Sequence, residues 1–467
     1  MSAARPAAIT SLALQPTPLI RPLVSRWPSV ALLLFADSFA LLCAASASVV
    51  LRHSLDPRLD PAFYAAIWPV LLLFPLAYAG FGLYPGFGRG PVDELRRLSG
   101  STSLVYAALA VSVFLLKDAA AYSRAAFLMA WTLSLVAVPL ARALVRLLIA
   151  KKPWWGDAVA IAGNIDAAHA VADSLLRRAE LGLKPVLVLD NARALAMTGN
   201  QGIRHVILAG GAPAKLPELY RHLSGVFPRV TVIPDLSGLS SLGVEARDLG
   251  GLLGLEIRQR LIMPWPQFAK RAVDLLIIGA VTAVGLPLIA TIAVAIKLNS
   301  RGPVFYGQRR YGSGGRIFVA WKFRTMVANA SQVLESCLRA DPALRAEWNR
   351  DHKLKNDPRL TAVGRLLRKT SLDELPQLWN VLLGQMSVVG PRPIVGEEIQ
   401  RYGDAFDLYK KVPPGLTGLW QVSGRNDLSY SERVDLDLYY IRNWSPWLDL
   451  YILARTVTAV LFARGAY

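Results

Sequence analysis

Four apolar stretches fill the first 150 residues of the chain, at about 30–51, 63–84, 101–116 and 125–149. Each is near the roughly 20 residues a helix needs to cross a hydrocarbon layer. No other feature narrows the possible folds so far. Inside lipid every backbone N–H and C=O must be bonded within its own segment, so stretches of this kind are expected to be helices. The third is the shortest of the four. Composition agrees: of 467 residues 53% are hydrophobic and 18% charged, too apolar for an ordinary soluble protein. The fold is expected to begin with a four-helix transmembrane bundle at 29–152, after a proline-bearing leader at 1–28 without a signal-peptide pattern. Basic residues suggest its orientation. Arg5, Arg21 and Arg26 precede the first helix, Arg89, Arg96 and Arg97 follow the second, and Arg146, Lys151 and Lys152 close the fourth. The other two loops carry Arg52 with Arg58, and Lys117 with Arg124, so both ends of the bundle are expected in the cytoplasm.

From about Gly156 the texture changes. "DAVAIAG", "KPVLVLD", "IRHVILAG" and "RVTVIPD" read as buried strands, with helical patterns between the first two and the last two. This predicts a small Rossmann-like α/β domain at 153–255 with a parallel sheet. Its first turn, "GNIDAA" at 163–168, sits where a dinucleotide fingerprint would. Ile165 and Ala168 replace the second and third glycines. A branched side chain there blocks close approach of a pyrophosphate, so the turn reads as structural. Cys43 and Cys337 build no disulfide framework, which agrees with a cytosolic setting for the polar parts.

A fifth apolar run, at 273–298, is also long enough to span. Leu286 and Pro287 sit at its middle, just after Gly285, where a helix kinks or breaks. Both flanks are basic: Arg258, Arg260, Lys270 and Arg271 before it, Lys297, Arg301, Arg309 and Arg310 after it. A spanning helix exports one of these clusters. A re-entrant hairpin that enters and leaves on one face keeps both inside. A kinked spanning helix is the alternative. The region 256–467 is expected to be a mixed α/β domain carrying this element.

The residues able to do chemistry gather in that last region. In "RIFVAWKFRTM", at 316–326, strand alternation puts Lys322 and Arg324 on one face. Two cations projecting together suit a diphosphate, although a solvated strand face has the same pattern. "SLDELPQLWNVLLG", at 371–384, carries two adjacent acids, Asp373 and Glu374. Ser371 with Glu374 matches a capping box, Asp373 can itself be an N-cap, and Pro376 fits only a first helical turn. Carboxylates there offset the helix dipole in any protein. The neighbours argue for more. Arg359, Arg365, Arg368 and Lys369 lie just upstream. A carboxylate beside a helix N-terminus and arginines stays ionised and can be a nucleophile, and a second can hold Mg2+ together with phosphate oxygens. "VGPRP" sets Arg392 in a stiff extended backbone suited to a phosphate. The turn-rich "PPGLTGLWQVSGRNDLSY" carries Arg425, and Tyr439, Tyr440, Trp444, Trp447 and Tyr451 suit a membrane-interface belt or a core. The formal charge of +19 calls for anionic partners. No nucleic-acid-binding motif accompanies it, so membrane lipid headgroups and phosphorylated substrates are expected instead of nucleic acid.

Taken in order, "KFRTM", "LRKTSLDELPQLWNVLLGQMSVVGPRP", "PGLTGLWQVSGR" and "DLYYIRNWS" resemble the polyprenyl-phosphate phosphoglycosyl transferases of the monotopic, bacterial sugar transferase type. The resemblance runs from about 266 to the C-terminus, and the N-terminal helices and degenerate nucleotide fold are similar to the family's long form. It implies that Asp373 attacks the β-phosphate of a UDP-sugar, releases UMP, and passes the sugar-phosphate to undecaprenyl phosphate. It implies Mg2+ on Glu374 and phosphate-holding roles for Lys322, Arg324, Thr325, Arg368, Arg392 and Arg425. It further implies a homodimer in the bacterial inner membrane, with its catalytic domain on the cytoplasmic face. The pathway would be surface polysaccharide assembly, whether exopolysaccharide, O-antigen or capsule. Leu286-Pro287 departs from the Ser-Pro of the small members. Galactose is the favoured sugar, with glucose as the alternative. A membrane-anchored nucleotide-sensing scaffold without catalysis is the alternative of another class.

Overall fold

Three of the apolar stretches form helices long and apolar enough to cross a membrane: α1 (Arg26–Leu55), α4 (Pro91–Leu115) and α5 (Arg124–Ile149). The computed structural model describes residues 26–115, 122–189, 203–210, 223, 227–233, 244–248, 253–257, 261 and 263–461, apart from 343, 346–347, 349–353, 355–356 and 425–427. The stretch at 63–84 is not one helix. It divides into α2 (Pro61–Ala66), a 3-10 turn (Trp68–Leu72) and α3 (Leu73–Gly80). Pro61, Pro69 and Pro75 each fall in the first turn of one piece, where a missing N–H is tolerated, and the last two each stop the piece before them. The expected four full-length helices are therefore three, with a broken segment between. The stretch at 101–116, shortest in the sequence, is the C-terminal part of a helix that starts ten residues earlier at Pro91.

Between these helices lies a charged cluster that hydropathy conceals. Arg142 on α5 reaches Asp37 on α1 through two nitrogens, at 2.6 and 2.9 Å, and Glu94 on α4 at 2.9 Å. Arg146 pairs with the same Glu94 at 2.6 Å. Arg142 and Asp37 are fully buried. A charge in lipid is costly, and here each is neutralised by a partner on another helix. Arg142 also donates to the Leu83 carbonyl and lies over the Tyr84 ring, so the cluster fastens the loop after α3.

The strands β1 (Asp157–Gly163), β2 (Leu183–Leu189), β3 (His205–Ala209) and β4 (Arg229–Ile233) form the parallel sheet the sequence predicts, in the order β2-β1-β3-β4. Between β1 and β2 runs α6 (Ile165–Arg177), capped by the Asn164 side chain, which accepts from the Asp166 N–H at 3.0 Å. Ile165 stands exposed where a dinucleotide fingerprint needs glycine.

The chain divides into two compact units, residues 1–237 and 238–467. The second holds an antiparallel pair, β5 (Val244–Asp248) and β6 (Leu253–Ile257), and then α7 (Pro264–Asn299), which carries the fifth apolar run. The segments Trp265–Thr282 and Gly285–Asn299 of α7 are bent by 62°. Pro287 supplies the cause, since it removes one ladder hydrogen bond and its ring crowds the preceding turn. Both arms return to the same core. In the first arm Lys270 pairs with Asp449 at 2.8 Å, and Asp274 accepts from the Ser387 hydroxyl at 2.7 Å and the Val388 N–H at 3.2 Å. In the second, Ile292 and Ile296 pack with Phe323, Leu367, Leu372 and Leu375. The middle of α7 stays bare: Leu276 is 74% and Leu286 57% exposed.

The rest of the unit frames a crevice. A hairpin, β7 (Phe305–Tyr311) and β8 (Ile317–Phe323), is followed by α8 (Ala362–Thr370) and α9 (Gln377–Leu382). A short parallel pair, β9 (Ser387–Val389) and β10 (Gly415–Thr417), precedes α10 (Tyr430–Asn443) and α11 (Pro446–Leu461).

Candidate active site

The two acids do not cap a helix. After α8 the chain reaches Ser371, whose φ of 57° makes it the one non-glycine residue in the left-handed region among the described residues. A single 3-10 turn, Leu372–Glu374, follows, and α9 begins only after Pro376. Ser371 makes no side-chain cap, so the capping box read from the sequence is not formed. Leu372 and Leu375 flank the acids and sink into the cluster around Ile292 and Ile296 of α7. The turn is thereby fixed at its base on α7, and a strained residue at its entrance is tolerated.

Glu374 lines a narrow crevice with Arg310, Lys322, Gln377, Arg392 and Gln421. The free space is about 20 Å³, room for about one water. Lys322 donates to one carboxylate oxygen of Glu374 at 2.5 Å. Asp373, beside it, is partly buried. Burial pushes its carboxyl above the usual range; Lys322 and Arg368 pull it back only in part, and Glu374 adds to the rise. This corrects the expectation that a helix terminus and Arg368 hold Asp373 low, because no helix starts at it and desolvation outweighs the cations.

Arg392 comes to the crevice as the sequence suggests, and the fold braces it. Its guanidinium lies 5.6 Å over the Trp420 ring. The Tyr409 hydroxyl donates to the Arg392 carbonyl at 3.1 Å. Near it lies Asp437, wholly buried, accepting from the Tyr402 hydroxyl at 2.7 Å. Burial pushes Asp437 up to about 8, although Tyr402 and Arg392 both favour its ionised form.

The other expected site residues divide. Arg368 is not at the crevice wall; its Nε donates to the Thr325 hydroxyl at 3.1 Å, and its charge acts on Asp373. Thr325 is buried and braces Arg368. Gly364 allows that approach, since a Cβ there would lie 2.0 Å from the Thr325 carbonyl oxygen. Arg324 does not share a face with Lys322. The pleat of β8 ends at Phe323, and Arg324 turns to the C-terminus of α7, donating to the Ser300 carbonyl at 2.9 Å and hydroxyl at 2.8 Å. Free carbonyls and the negative end of a helix dipole attract a guanidinium there. Arg425 lies outside the described residues. Gln377 and Gln421 were not singled out from the sequence, and Arg310 was read only as part of the basic flank of the fifth apolar run. Gln377 stands three residues after Glu374, a spacing that could have found it. Arg310 donates to the Pro393 carbonyl at 2.9 Å across the fold, and no local signal announces it.

Among the described residues no group of three or more His, Cys, Asp and Glu side chains could hold a metal. A Mg2+ carried by a diphosphate asks for less, one or two carboxylates besides phosphate oxygens and waters. Glu374, partly exposed and engaged by Lys322 at one oxygen, fits that demand.

Residues 265–463 match the family model for a bacterial sugar transferase, and residues 79–206 that for a CoA-binding domain. The undecaprenyl-phosphate galactose phosphotransferase of Salmonella typhimurium is 38% identical over 366 residues, covering 74% of this chain and 77% of its own. The chain belongs to the bacterial sugar transferase family. The UDP-glucose:undecaprenyl-phosphate glucose-1-phosphate transferase of Xanthomonas campestris is 30% identical over 95% of this chain and 96% of its own. The exopolysaccharide production protein ExoY of Rhizobium meliloti is 48% identical over 206 residues, 44% of this chain and 91% of its own. In this sugar transferase the family match starts within the first turn of α7 and takes in the acid turn, the crevice and Arg392.

Proposed function

We propose that the chain moves a hexose-1-phosphate from a UDP-sugar to undecaprenyl phosphate, releasing UMP, by way of a covalent adduct on Asp373. The observation that carries this reading is the acid turn. It presents a carboxylate with no capping duty, in the field of Lys322 and Arg368, beside a crevice rich in cations. An oxygen of ionised Asp373 attacks the β-phosphorus of the UDP-sugar. The bond from that phosphorus to the bridging oxygen breaks, and UMP leaves with the electron pair. The adduct is a mixed carboxylic–phosphoric anhydride carrying the sugar. A phosphate oxygen of undecaprenyl phosphate then attacks the same phosphorus and returns the Asp373 carboxylate.

Lys322 and Arg392 hold phosphate oxygens, and Arg368, braced by Thr325, keeps positive charge at Asp373; a phosphate role for Arg425 rests on the sequence motif alone. Arg324 closes α7 and is not given a phosphate. Glu374 holds Mg2+, which when bound neutralises the diphosphate. The Lys322–Glu374 contact opens to admit substrate, since the crevice is far smaller than a UDP-sugar.

The membrane setting follows from α7. Its two arms bond one globular core while its middle is bare, which supports a re-entrant hairpin rather than a span. With α1, α4 and α5 this makes a multi-pass protein of the bacterial inner membrane, its crevice on the cytoplasmic face, working as a homodimer in the first step of exopolysaccharide, O-antigen or capsule assembly. Galactose is favoured over glucose because the relative named for galactose matches at 38% identity and the full-length one named for glucose at 30%.

The test is to supply UDP-sugar without lipid acceptor and locate the adduct by mass spectrometry. A sugar-phosphate on the peptide carrying Asp373, absent from Asp373→Asn, is expected. Wild-type turnover by Asp373→Asn, or an adduct on another residue, sinks the assignment.

A further inference from the structure

The N-terminal unit contains a second cavity, unrelated to the crevice. It is a wide-mouthed depression of about 600 Å³, lined by the last turn of α1, the loop after it, the first turn of α2 and the start of α5. α5 has the cavity at its N-terminal end and leads into the parallel sheet at its C-terminal end. Its 26 residues make about 39 Å of helix, enough to cross a bilayer. On the multi-pass reading proposed above, this places the cavity at the membrane face opposite the sheet, near the depth of lipid headgroups.

Its wall has two parts. Three guanidiniums, of Arg52, Arg58 and Arg124, give the charge. Phe63, Tyr64 and Tyr122 give an aromatic side, with Phe63 edge-on to both tyrosines at 5.4 and 5.2 Å. Two acids also line the cavity, and both are engaged. Asp56 takes Arg52 at 2.9 Å and the Arg58 N–H at 3.3 Å, while Asp60 caps α2 by accepting from the Ala62 N–H at 2.9 Å. Arg58 and Arg124 are exposed and have no carboxylate partner among the described residues. Ser123 caps α5 and accepts from Arg52 Nε at 3.3 Å, so the positive end of the α5 dipole faces the same space. Surplus positive charge at headgroup depth, beside an aromatic wall, suits a phosphate with an apolar or hydroxylated neighbour.

We propose that this cavity binds the phosphate headgroup of a membrane lipid on the face opposite the parallel sheet. Non-specific attraction to surface arginines also favours anionic lipid, but it leaves no discrete lipid bound when bulk lipid is stripped away, and that difference is measurable. The full chain is placed in nanodiscs of equal phosphatidylglycerol and phosphatidylcholine, and the lipid it retains is read by native mass spectrometry. Wild type should retain phosphatidylglycerol in preference. Arg58→Gln with Arg124→Gln should lower that preference roughly thirtyfold, each arginine near the surface contributing about fivefold. UMP release from UDP-sugar should be unchanged in the double variant, which also certifies its fold. Equal retention of the two lipids, or the same preference in the double variant, overturns the proposal. Millimolar inorganic phosphate distinguishes the sources: displacement of the lipid preference by free phosphate would make this a soluble-anion site and refute the lipid assignment.

Discussion

Asp437→Asn probes the support of the site through its protonation. Asp437 is 1% exposed, and burial lifts its pKa from 3.8 to about 8. The sign follows from linkage. The folded protein keeps this proton at pH values where the unfolded chain has lost it, so folding takes up a proton. The stabilising contribution is complete below about pH 4 and is lost as pH rises through about 8. Each unit of that interval is worth about 1.4 kcal/mol, so about four units amount to something on the order of 5 kcal/mol. Asparagine mimics the neutral acid and has no proton to lose. Thermal unfolding of purified wild type and variant in detergent, from pH 5 to pH 9, isolates the effect, because all other titrations cancel in the difference. The melting temperature of the variant should gain on wild type by several degrees between pH 5 and pH 8 and then level off. UMP release at pH 7 should survive, since the neutral form is the one replaced. Parallel melting profiles would refute the reasoning, showing that Asp437 has no raised pKa in the folded protein.

Burial of Asp373 predicts that Asp373→Asn melts no lower than wild type while losing turnover, and that the wild-type pH–rate profile has an acid limb above the ordinary aspartate range. Glu374→Gln should be severely impaired, with residual activity that responds to Mg2+ concentration; titration of the metal against UMP release checks this. Cysteines placed at Gln267 and Ser300, one at each end of α7, should both be labelled only from the cytoplasmic side, and labelling of either from outside excludes the hairpin. A panel of UDP-sugars should show UDP-galactose turned over faster than UDP-glucose, and both faster than N-acetylated sugars; a clear preference for glucose overturns the sugar while leaving the mechanism standing.

Much of this protein is settled by residues near one another in the chain. The apolar runs of α1 and α5 are local, and so is the strand alternation that yields the parallel sheet. The prolines that divide residues 61–80 act through their own missing N–H groups, so that break was legible in the sequence although length alone hid it. Asp373, Glu374 and Arg392 fall within 20 consecutive residues, and a contiguous motif is what pattern reading finds best. Partnership is another matter, because a charge pairs with whatever segment packs against it. Arg142 and Asp37 meet across 105 residues, Lys322 and Glu374 across 52, and Arg310 joins the crevice through a carbonyl 83 residues away. Lys322 in β8 and Arg324 just past its end part because one meets the acid turn and the other the end of α7. Whether the acid pair caps a helix or is free for chemistry was likewise undecidable locally, since both readings fit the same letters. Tertiary packing removed the capping reading: Leu372 and Leu375 bind the turn to α7, and α9 begins beyond the acids, with Glu374 at the crevice and Asp373 beside it.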